Sequence, residues 1–508
     1  MENRFDITKF DAYREDNRLE VKKAKDKLPD AMWETYSSFA NTSGGCIILG
    51  VREREDKSWE TTGLKDVMKL RKAFFDTLHN QSKVNASLVN DSGVTDYEVN
   101  GDVILVIEVP KARREDRPVF INGDMWNGTY RRDGEGDYRC SREAILAMLR
   151  DQTENTPDMK ILENKEVRDF NQDSVRSYRL RYNNSHPDHP WSKLPDDEFL
   201  VQIGAASDET SDHRIHPTAA GLLMFGVYNR IMREFPSFLL DYYEKSDPSL
   251  RWTDRLVSHS GDWSGNIYDF YNKVYMKIAV DLKKPFKLNG IYRIDDTPVH
   301  VAVREVLANC LVNADYFLDD CVKVEKYPYQ LIFSNPGTIR LGKKQMLHGG
   351  KSSPRNKVIL NMFNFIGVGE RAGSGVPNVY KIWEDENYEE PTVEEISGRE
   401  GTICTVVSLP LLEKKSPEIE AESPEKSPEK SPEKSPEKSP ELLRSEEVEK
   451  RLDKVLSLIK DDPSITRGDI SARLGISNSQ VRTALEKLKD RGLIRRVGSD
   501  TKGEWLCD

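Results

Sequence analysis

The apolar and polar positions of this chain change period several times, and each change marks an element. Over Pro29–Asn41 apolar and aromatic side chains return at helical spacing, which predicts a helix. Thr42–Gly45 ends it in a Gly-Gly turn, and the apolar run Cys46–Val51 predicts a strand that delivers Glu53. A helix near Leu64–His79 and strands around Tyr97–Val109 follow. Further along, Asp173–Tyr182 reads as helical, His186–Trp191 as a Pro-rich loop and Thr218–Gly226 as a small-residue helix packed under a sheet. Val301–Tyr316 predicts a helix on which Glu305 and Asn309 share a face, with Asn313 a further turn along. A strand through Ile332–Gly337 and a Gly-rich segment at Gly367–Val376 complete this part.

The tail has two textures. S-P-E-K recurs from Ser423, Ser427, Ser431 and Ser435 and closes with S-P-E-L at Ser439. Proline at every fourth position blocks a helix, and alternating Glu and Lys have nothing to bury. Residues 413–445 are therefore expected to be a disordered, extended linker. Beyond it, Glu447–Lys460, Arg467–Leu474 and Asn478–Arg491 predict helices, and Leu493–Val497 with Glu504–Cys507 a two-stranded wing.

Composition narrows the classes. At 508 residues the chain exceeds one core, and its eight Trp support packed domains although 32 % of residues are charged. The net charge of −10 excludes a uniformly basic surface, so nucleic acid must be met by local patches. Six scattered cysteines with no C-x-x-C pair match a reduced cytoplasm and argue against structural zinc. His186/His189 and His213/His216 have H-x-x-H spacing but no helical context, and read as ordinary surface histidines. No apolar run approaches a membrane span, so a soluble cytoplasmic protein with no membrane partner is expected.

Two sets of residues carry candidate chemistry near the N-terminus. R-E-D-N-R-L-E-V-K at Arg14–Lys22 clusters Glu15, Glu20 and Lys22, and the strand after Gly45 brings Glu53. Three carboxylates and an amine around one spot could hold Mg²⁺ or Mn²⁺ and activate water on a phosphodiester; a solvated charged edge is the alternative. Lys111, Arg113, Arg114 and Arg117, then Tyr130, Arg131 and Arg132, interleave cations with aromatics as a nucleic-acid groove wall would.

The spaced Glu–Glu–x–Lys and the run S-x-F-A-N-T-x-G-G-x-I-x-x-G-V resemble the Schlafen/Alba-type (AlbA_2) domain. The likeness continues through V-I-L-V-I-E-V-P, R-P-V-F-I-N-G and T-Y-R-R to about Leu149. In family members that cut RNA, two glutamates and an acid after the G-V pair form the site. The resemblance places them at Glu15, Glu20 and Glu53, with Lys22 beside them and Glu where Asp is common. The order of the third region resembles the GHKL ATP-binding fold. It implies that Asn309 helps hold Mg²⁺ on nucleotide phosphates and that Glu305 activates water. The glycines Gly337, Gly373 and Gly375 approach the nucleotide, and Asn335 stands where an acid usually reads adenine. The C-terminal pattern resembles a winged helix-turn-helix, with Gln480 and Arg482 on the recognition helix and Arg495 and Arg496 on the wing.

The expectation is a multidomain α+β protein. Its parts are a Schlafen/Alba-like α+β domain (1–150), a middle α+β region (158–294), a GHKL-like α/β sandwich (295–412), the linker and a winged helix (446–508). The leading functional expectation is a metal-dependent RNA or DNA endonuclease with an ATP-binding module, acting in bacterial defence or stress. The alternatives are a non-catalytic ATP-binding transcriptional regulator and a self-assembling ATP-binding scaffold. Nucleic acid and ATP are the expected partners, and a homo-oligomer the expected state.

Overall fold

The computed structural model describes residues 5–246, 250–282, 288–289, 292–293, 296–369, 375–398 and 402–412, with 455–459, 462, 465–466, 469–470, 473, 481, 485, 488–489, 494–497 and 504–507. They belong to two units, Met1–Ser416 and Pro417–Asp508, taken in turn.

The first domain comprises β1 (Leu19–Lys22), α1 (Ala31–Asn41), β2 (Gly45–Leu49), β3 (Val51–Glu53), β4 (Trp59–Thr61), α2 (Val67–Leu78), β5 (Val94–Val99), β6 (Asp102–Val109), β7 (Tyr130–Asp133), β8 (Gly136–Arg139) and α3 (Arg142–Gln152). Its main sheet has the order β1-β2-β6-β5, with β1 parallel to β2 and the other pairs antiparallel. β2 is apolar throughout because both of its faces are covered. Ile47 and Leu49 pack with Met32, Tyr36, Phe39 and Phe74, whereas Cys46 and Ile48 pack with Phe5, Phe10 and Trp59. The strand predicted over Cys46–Val51 breaks at Gly50, whose φ is +87°, and passes into the β3–β4 hairpin. α2 starts at Val67 because the Asp66 carboxylate accepts from the Lys69 N–H.

The F-A-N-T-S-G-G run is a structural joint. Gly44 adopts φ +71°, and its N–H donates to the Phe39 carbonyl at 2.7 Å, which stops α1. A Cβ on Gly45 would lie 2.6 Å from the Arg18 carbonyl and 2.7 Å from the Phe39 ring, so only glycine lets β2 lie against β1. Buried Asn41 donates to the carbonyls of Val119 (2.8 Å) and Tyr130 (2.9 Å) and accepts from the Val119 N–H (2.9 Å). Ser37 donates to the Val119 carbonyl and accepts from the Tyr130 N–H. The motif's polar side chains thus pin R-P-V-F-I-N-G and T-Y-R-R to α1.

The remainder of the larger unit is built on one core. It extends from Leu162 to Leu409, so the regions 158–294 and 295–412 share a core. They also share a six-stranded sheet. In spatial order its strands are Asp254–Val257, Leu240–Glu244, Val322–Lys326, Gln330–Pro336, Ile403–Pro410 and Thr392–Ser397. Leu240–Glu244 runs parallel to Val322–Lys326, and the other neighbours are antiparallel. The helix Pro298–Asn313 packs on Gln330–Pro336, with Ile267–Ala279 and Gly375–Asp385 beside it. Asp158 ties distant segments together, because its carboxylate accepts from the N–H groups of Val358 (2.8 Å) and Ile359 (3.0 Å) at the start of the helix Lys357–Phe365. The small-residue helix appears as Ala219–Phe225, buried along its whole length. His216 is buried between the Lys165 carbonyl and the Asp212 carboxylate, so that half of an H-x-x-H pair is structural.

The first domain docks on this body through charge. Asp151 of α3 accepts two bonds from Arg355, from Nε at 3.0 Å and Nη2 at 2.9 Å. Arg340 Nε stands 3.7 Å from the same carboxylate. Arg114 and Arg340 both donate to the Asp151 and Thr153 carbonyls at the end of α3. Arg150 pairs with Asp315 at 2.8 Å, and Lys111 with Glu395 at 3.2 Å. Burial alone would raise the Asp151 carboxyl, but the charges of Arg355, Arg340 and Arg117 hold it below the usual carboxylate range.

In the smaller unit Val455, Ile459, Ile465, Ile470, Val481, Leu485, Leu488, Ile494 and Trp505 form one core. Ile494–Val497 pairs antiparallel with Glu504–Cys507, the predicted wing. The linker 413–445 lies outside the described residues.

Asp151→Asn should cost about 3–5 kcal/mol in urea denaturation, because it leaves buried guanidinium groups without their carboxylate. A depressed carboxyl contributes its stability above the unfolded value and loses it as pH falls through the folded one. The gap to wild type should therefore hold down to about pH 5 and close below about pH 4.

Candidate functional site

The acidic corner lies at the edge strand β1. Glu15 precedes it and accepts the Val21 N–H at 3.0 Å, filling a backbone donor on the open edge. Glu20, 6 % exposed, has both carboxylate oxygens taken: Lys22 Nζ lies 2.5 Å from Oε1 and Arg132 Nη2 donates to Oε2 at 2.7 Å. Glu53, from β3, pairs with Lys57 at 3.2 Å, and its buried Oε1 has no hydrogen-bond partner among the described residues. Glu15 lies within reach of the charges of both Glu20 and Glu53. Burial, together with the charges of Glu20 and Glu53, raises the Glu15 carboxyl above its usual range.

Convergence is not a cation site. Among the described residues no three His, Cys, Asp or Glu side chains are grouped so as to hold a metal ion. The orphaned Glu53 Oε1 is suited to a cation, but Glu20 is already neutralised by Lys22 and Arg132. As they stand, these residues do not fit a resident divalent ion.

Arg132 is the partner that sequence reasoning misassigned. Its side chain is 1 % exposed and cannot form a groove wall. Its N–H donates to Thr42 Oγ1 (2.9 Å), Nη1 donates to Asp137 (3.0 Å), and Nη2 also reaches the Asp16 carbonyl (2.9 Å). The guanidinium lies 5.1 Å from the centre of the Phe39 ring. Arg132 therefore holds Glu20 in place from the far side of the domain.

The other expected groove residues divide similarly. Arg117 is 5 % exposed, and burial lowers its pKa. Arg114 holds the end of α3 within the first domain, and Lys111 reaches across to Glu395. Tyr130 is buried, with its hydroxyl donating to Glu34 at 3.0 Å. Arg113 is exposed but pairs with Asp116, and Arg131 lies 3.4 Å from Asp133. The stretch Lys111–Arg117 is thus mainly an internal docking segment. Sequence cannot separate the two roles, because both need clustered cations. On the winged helix, Gln480 and Arg482 lie outside the described residues; Arg495 is exposed, and Arg496 is described for its backbone alone.

The nucleotide-type residues converge better. Glu305, Asn309, Asn335 and Gly375 line one cavity of about 160 Å³. Asn309 Nδ2 donates to Glu305 Oε1 at 3.0 Å, which leaves the amide oxygen as the atom able to meet a cation. A Cβ on Gly375 would lie 2.2 Å from that Glu305 oxygen, so the start of the helix Gly375–Asp385 is pressed onto the carboxylate. Gly337 does not line the cavity. It adopts φ +108°, and a Cβ there would meet Arg355 Nη1 at 2.4 Å, so it serves the docking contact. Gly373 lies outside the described residues.

Three lining residues escaped the sequence reading. Thr405 faces Asn335 across the sheet and donates to the Gly337 carbonyl at 2.8 Å. Lys351 and Arg340 add cations to the lining. Burial, then the neighbouring arginines, push the Arg340 guanidinium down to about 10. No spacing marks them, because they join the cavity from separate loops and strands.

Family models match in the same order. Residues 15–141 match the Schlafen, AlbA_2 family and 146–241 a domain of unknown function. Residues 319–401 match the family described as "Putative ATP-dependent DNA helicase recG C-terminal", and 452–495 the winged helix-turn-helix DNA-binding family. The chain therefore has the architecture of a Schlafen/AlbA_2 domain, an ATPase-like module and a winged helix within a multidomain α+β protein. These matches indicate a DNA-related ATP-binding protein. Among solved structures, the DIP2311 protein of Corynebacterium diphtheriae is 19 % identical, with 97 % of this chain and 92 % of that one covered and a TM-score of 0.40. The N-terminal domain of a RecG-related protein titled "Putative ATP-dependent DNA Helicase" from Nitrosomonas europaea is 25 % identical. That match covers 26 % of this chain and 90 % of that one, with a TM-score of 0.21. No curated protein matches the chain. No helix among the described residues is long and apolar enough to cross a membrane.

A carboxyl whose folded value is raised favours folding below its unfolded value and loses that contribution as pH rises through the folded one. Glu15→Gln keeps an acceptor for the Val21 N–H and removes the charge. Its melting temperature should exceed wild type at pH 7, and the difference should vanish toward about pH 4. Differential scanning fluorimetry across that range checks it.

Proposed function

We propose that this chain is a nucleotide-responsive nucleic-acid-binding protein. In this reading ATP occupies the cavity of the GHKL-like body, and the Schlafen-type domain and the winged helix engage nucleic acid. The observation that carries it is the cavity, which gathers the Glu305–Asn309 pair, Gly375, Asn335 and Thr405 from separate elements into one space. Such a convergence of a few polar groups on an otherwise apolar lining is the usual form of a small-molecule site. Asn309 and Glu305 would meet the Mg²⁺ that accompanies nucleotide phosphates, and Asn335 with Thr405 would hydrogen-bond the base. An amide at position 335 can both donate and accept, so base preference is expected to be weaker than with a carboxylate.

The docking of the first domain supports the responsive part. Thr338, Ile339, Arg340 and Pro354 line the cavity, and Arg340 also holds the end of α3. A ligand that orders this wall acts on the contact that carries the Schlafen-type domain.

A second reading, metal-dependent cleavage of RNA or DNA at Glu15, Glu20 and Glu53, is favoured by the unpartnered Glu53 Oε1. It requires Lys22 or Arg132 to release Glu20. Incubation of the protein with tRNA, single-stranded RNA and DNA, with and without Mn²⁺, separates the two readings. Intact substrate supports binding alone; product that disappears in Glu20→Gln establishes cleavage.

Millimolar Mg²⁺–ATP should raise the melting temperature of wild type, and Asn309→Ala should remove most of that shift, since ligand stabilisation follows the logarithm of affinity. Glu305→Ala should retain binding and stop any hydrolysis. A wild-type protein indifferent to ATP would overturn the nucleotide reading.

A further inference from the structure

With Arg117 and Arg132 buried, the first domain must meet nucleic acid elsewhere, and its β7–β8 hairpin has two different faces. Register places Arg132 opposite Asp137, and both lie on the face that holds Glu20. Arg131 stands opposite Tyr138 on the other face. Tyr138 is 57 % exposed, far more than an aromatic ring needs in order to pack. Just before the hairpin, Trp126 is 41 % exposed. The Arg142 guanidinium lies 4.8 Å from the centre of its ring.

The turn that presents Trp126 is built rigidly. Asp124 Oδ1 accepts from the N–H groups of Trp126 and Asn127, both at 3.0 Å, and Oδ2 accepts from Asn127 Nδ2 at 2.8 Å. A Cβ on Gly128 would lie 2.2 Å from the Ile121 carbonyl, so this turn is closed tightly. The local carboxylate is thus engaged by the turn. Among the described residues Arg142 has no carboxylate within ion-pair distance, and it is exposed.

We infer that the exposed rings of Trp126 and Tyr138, with Arg131 and Arg142, offer stacking positions for single-stranded nucleic acid. The inference rests on the nucleic-acid reading above and names the residues that carry it. Exposed aromatic faces suit unpaired bases, which a duplex hides, and the exposed Arg142 guanidinium suits a phosphate between them. The hairpin also joins this surface to the acidic corner, because Lys57 pairs with both Glu53 and Glu135 in the β7–β8 turn.

The test uses the full chain and a fluorescein-labelled oligo(dT) or oligo(U) of about 16 nucleotides, read by anisotropy in the presence of excess unlabelled duplex DNA to occupy the winged helix. Trp126→Ala and Tyr138→Ala should each weaken binding about ten-fold or more, and Trp126→Phe should restore most of the loss. Arg142→Ala should weaken binding and flatten its salt dependence. Both aromatic positions are exposed, and unchanged melting temperatures would show that the variants fold. If wild type binds the single strand and the aromatic variants bind equally well, the stacking surface is wrong and the nucleic-acid reading stands. If wild type binds neither oligonucleotide, both fail.

Discussion

The Asp151 carboxylate is the contact on which the larger unit depends. It sits at the end of α3 and accepts two bonds from a buried guanidinium of the GHKL-like body. Removing one partner of such a pair leaves an uncompensated charge in a medium that cannot solvate it, so the contact behaves as all or none. Around it, Arg114 and Arg340 satisfy the last carbonyls of α3, as cations at a helix C-terminus do. Buried Arg117 contributes charge, and among the described residues it has no ion-pair partner of its own. Two domains that could have been joined by a tether are instead held by a site that a small shift of the Pro336–Arg340 segment would disturb.

A second buried arginine does comparable work inside the first domain. Arg132 links α1, the loop before β1 and the β7–β8 hairpin to Glu20. It pairs with Glu20, whose charge together with that of Glu53 acts on Glu15. A cation taken up at Glu20 would first have to displace Lys22 or Arg132. The same guanidinium divides the hairpin into an inner face that builds the corner and an outer face that remains exposed.

The elements were legible where periodicity or glycine chemistry sets them. α1 with its Gly-Gly stop, the buried strand after it and the helix bearing Glu305 and Asn309 lie close to their predicted positions. The resemblance set Glu15, Glu20 and Glu53 together as a cation site; the charges of Glu20 and Glu53 do act on Glu15, but no such site is grouped among the described residues. What was not legible is how charged residues divide between surface and interior. Lys111–Arg117 reads as a nucleic-acid patch because clustered cations look alike whether they face phosphate or a buried carboxylate. Asp151, Arg340 and Arg355 carry no local signal, since their partners lie far away in sequence. Nor could sequence show that 158–294 and 295–412 share a core, because that depends on Leu240–Glu244 pairing with Val322–Lys326. Trp126 is exposed and is carried by a turn closed on Asp124.

If the cavity and the first domain act as one body, nucleotide and single-stranded nucleic acid must influence each other's affinity by the same factor. The direct measurement is a thermodynamic cycle. Oligonucleotide affinity is determined without and with saturating Mg²⁺–ATP, ATP affinity without and with saturating oligonucleotide, and the cycle is repeated in Asp151→Asn. The account predicts equal, non-unit factors on the two sides of the wild-type cycle and their loss in the variant. Two ligands that both bind wild type, each indifferent to the other, would contradict it.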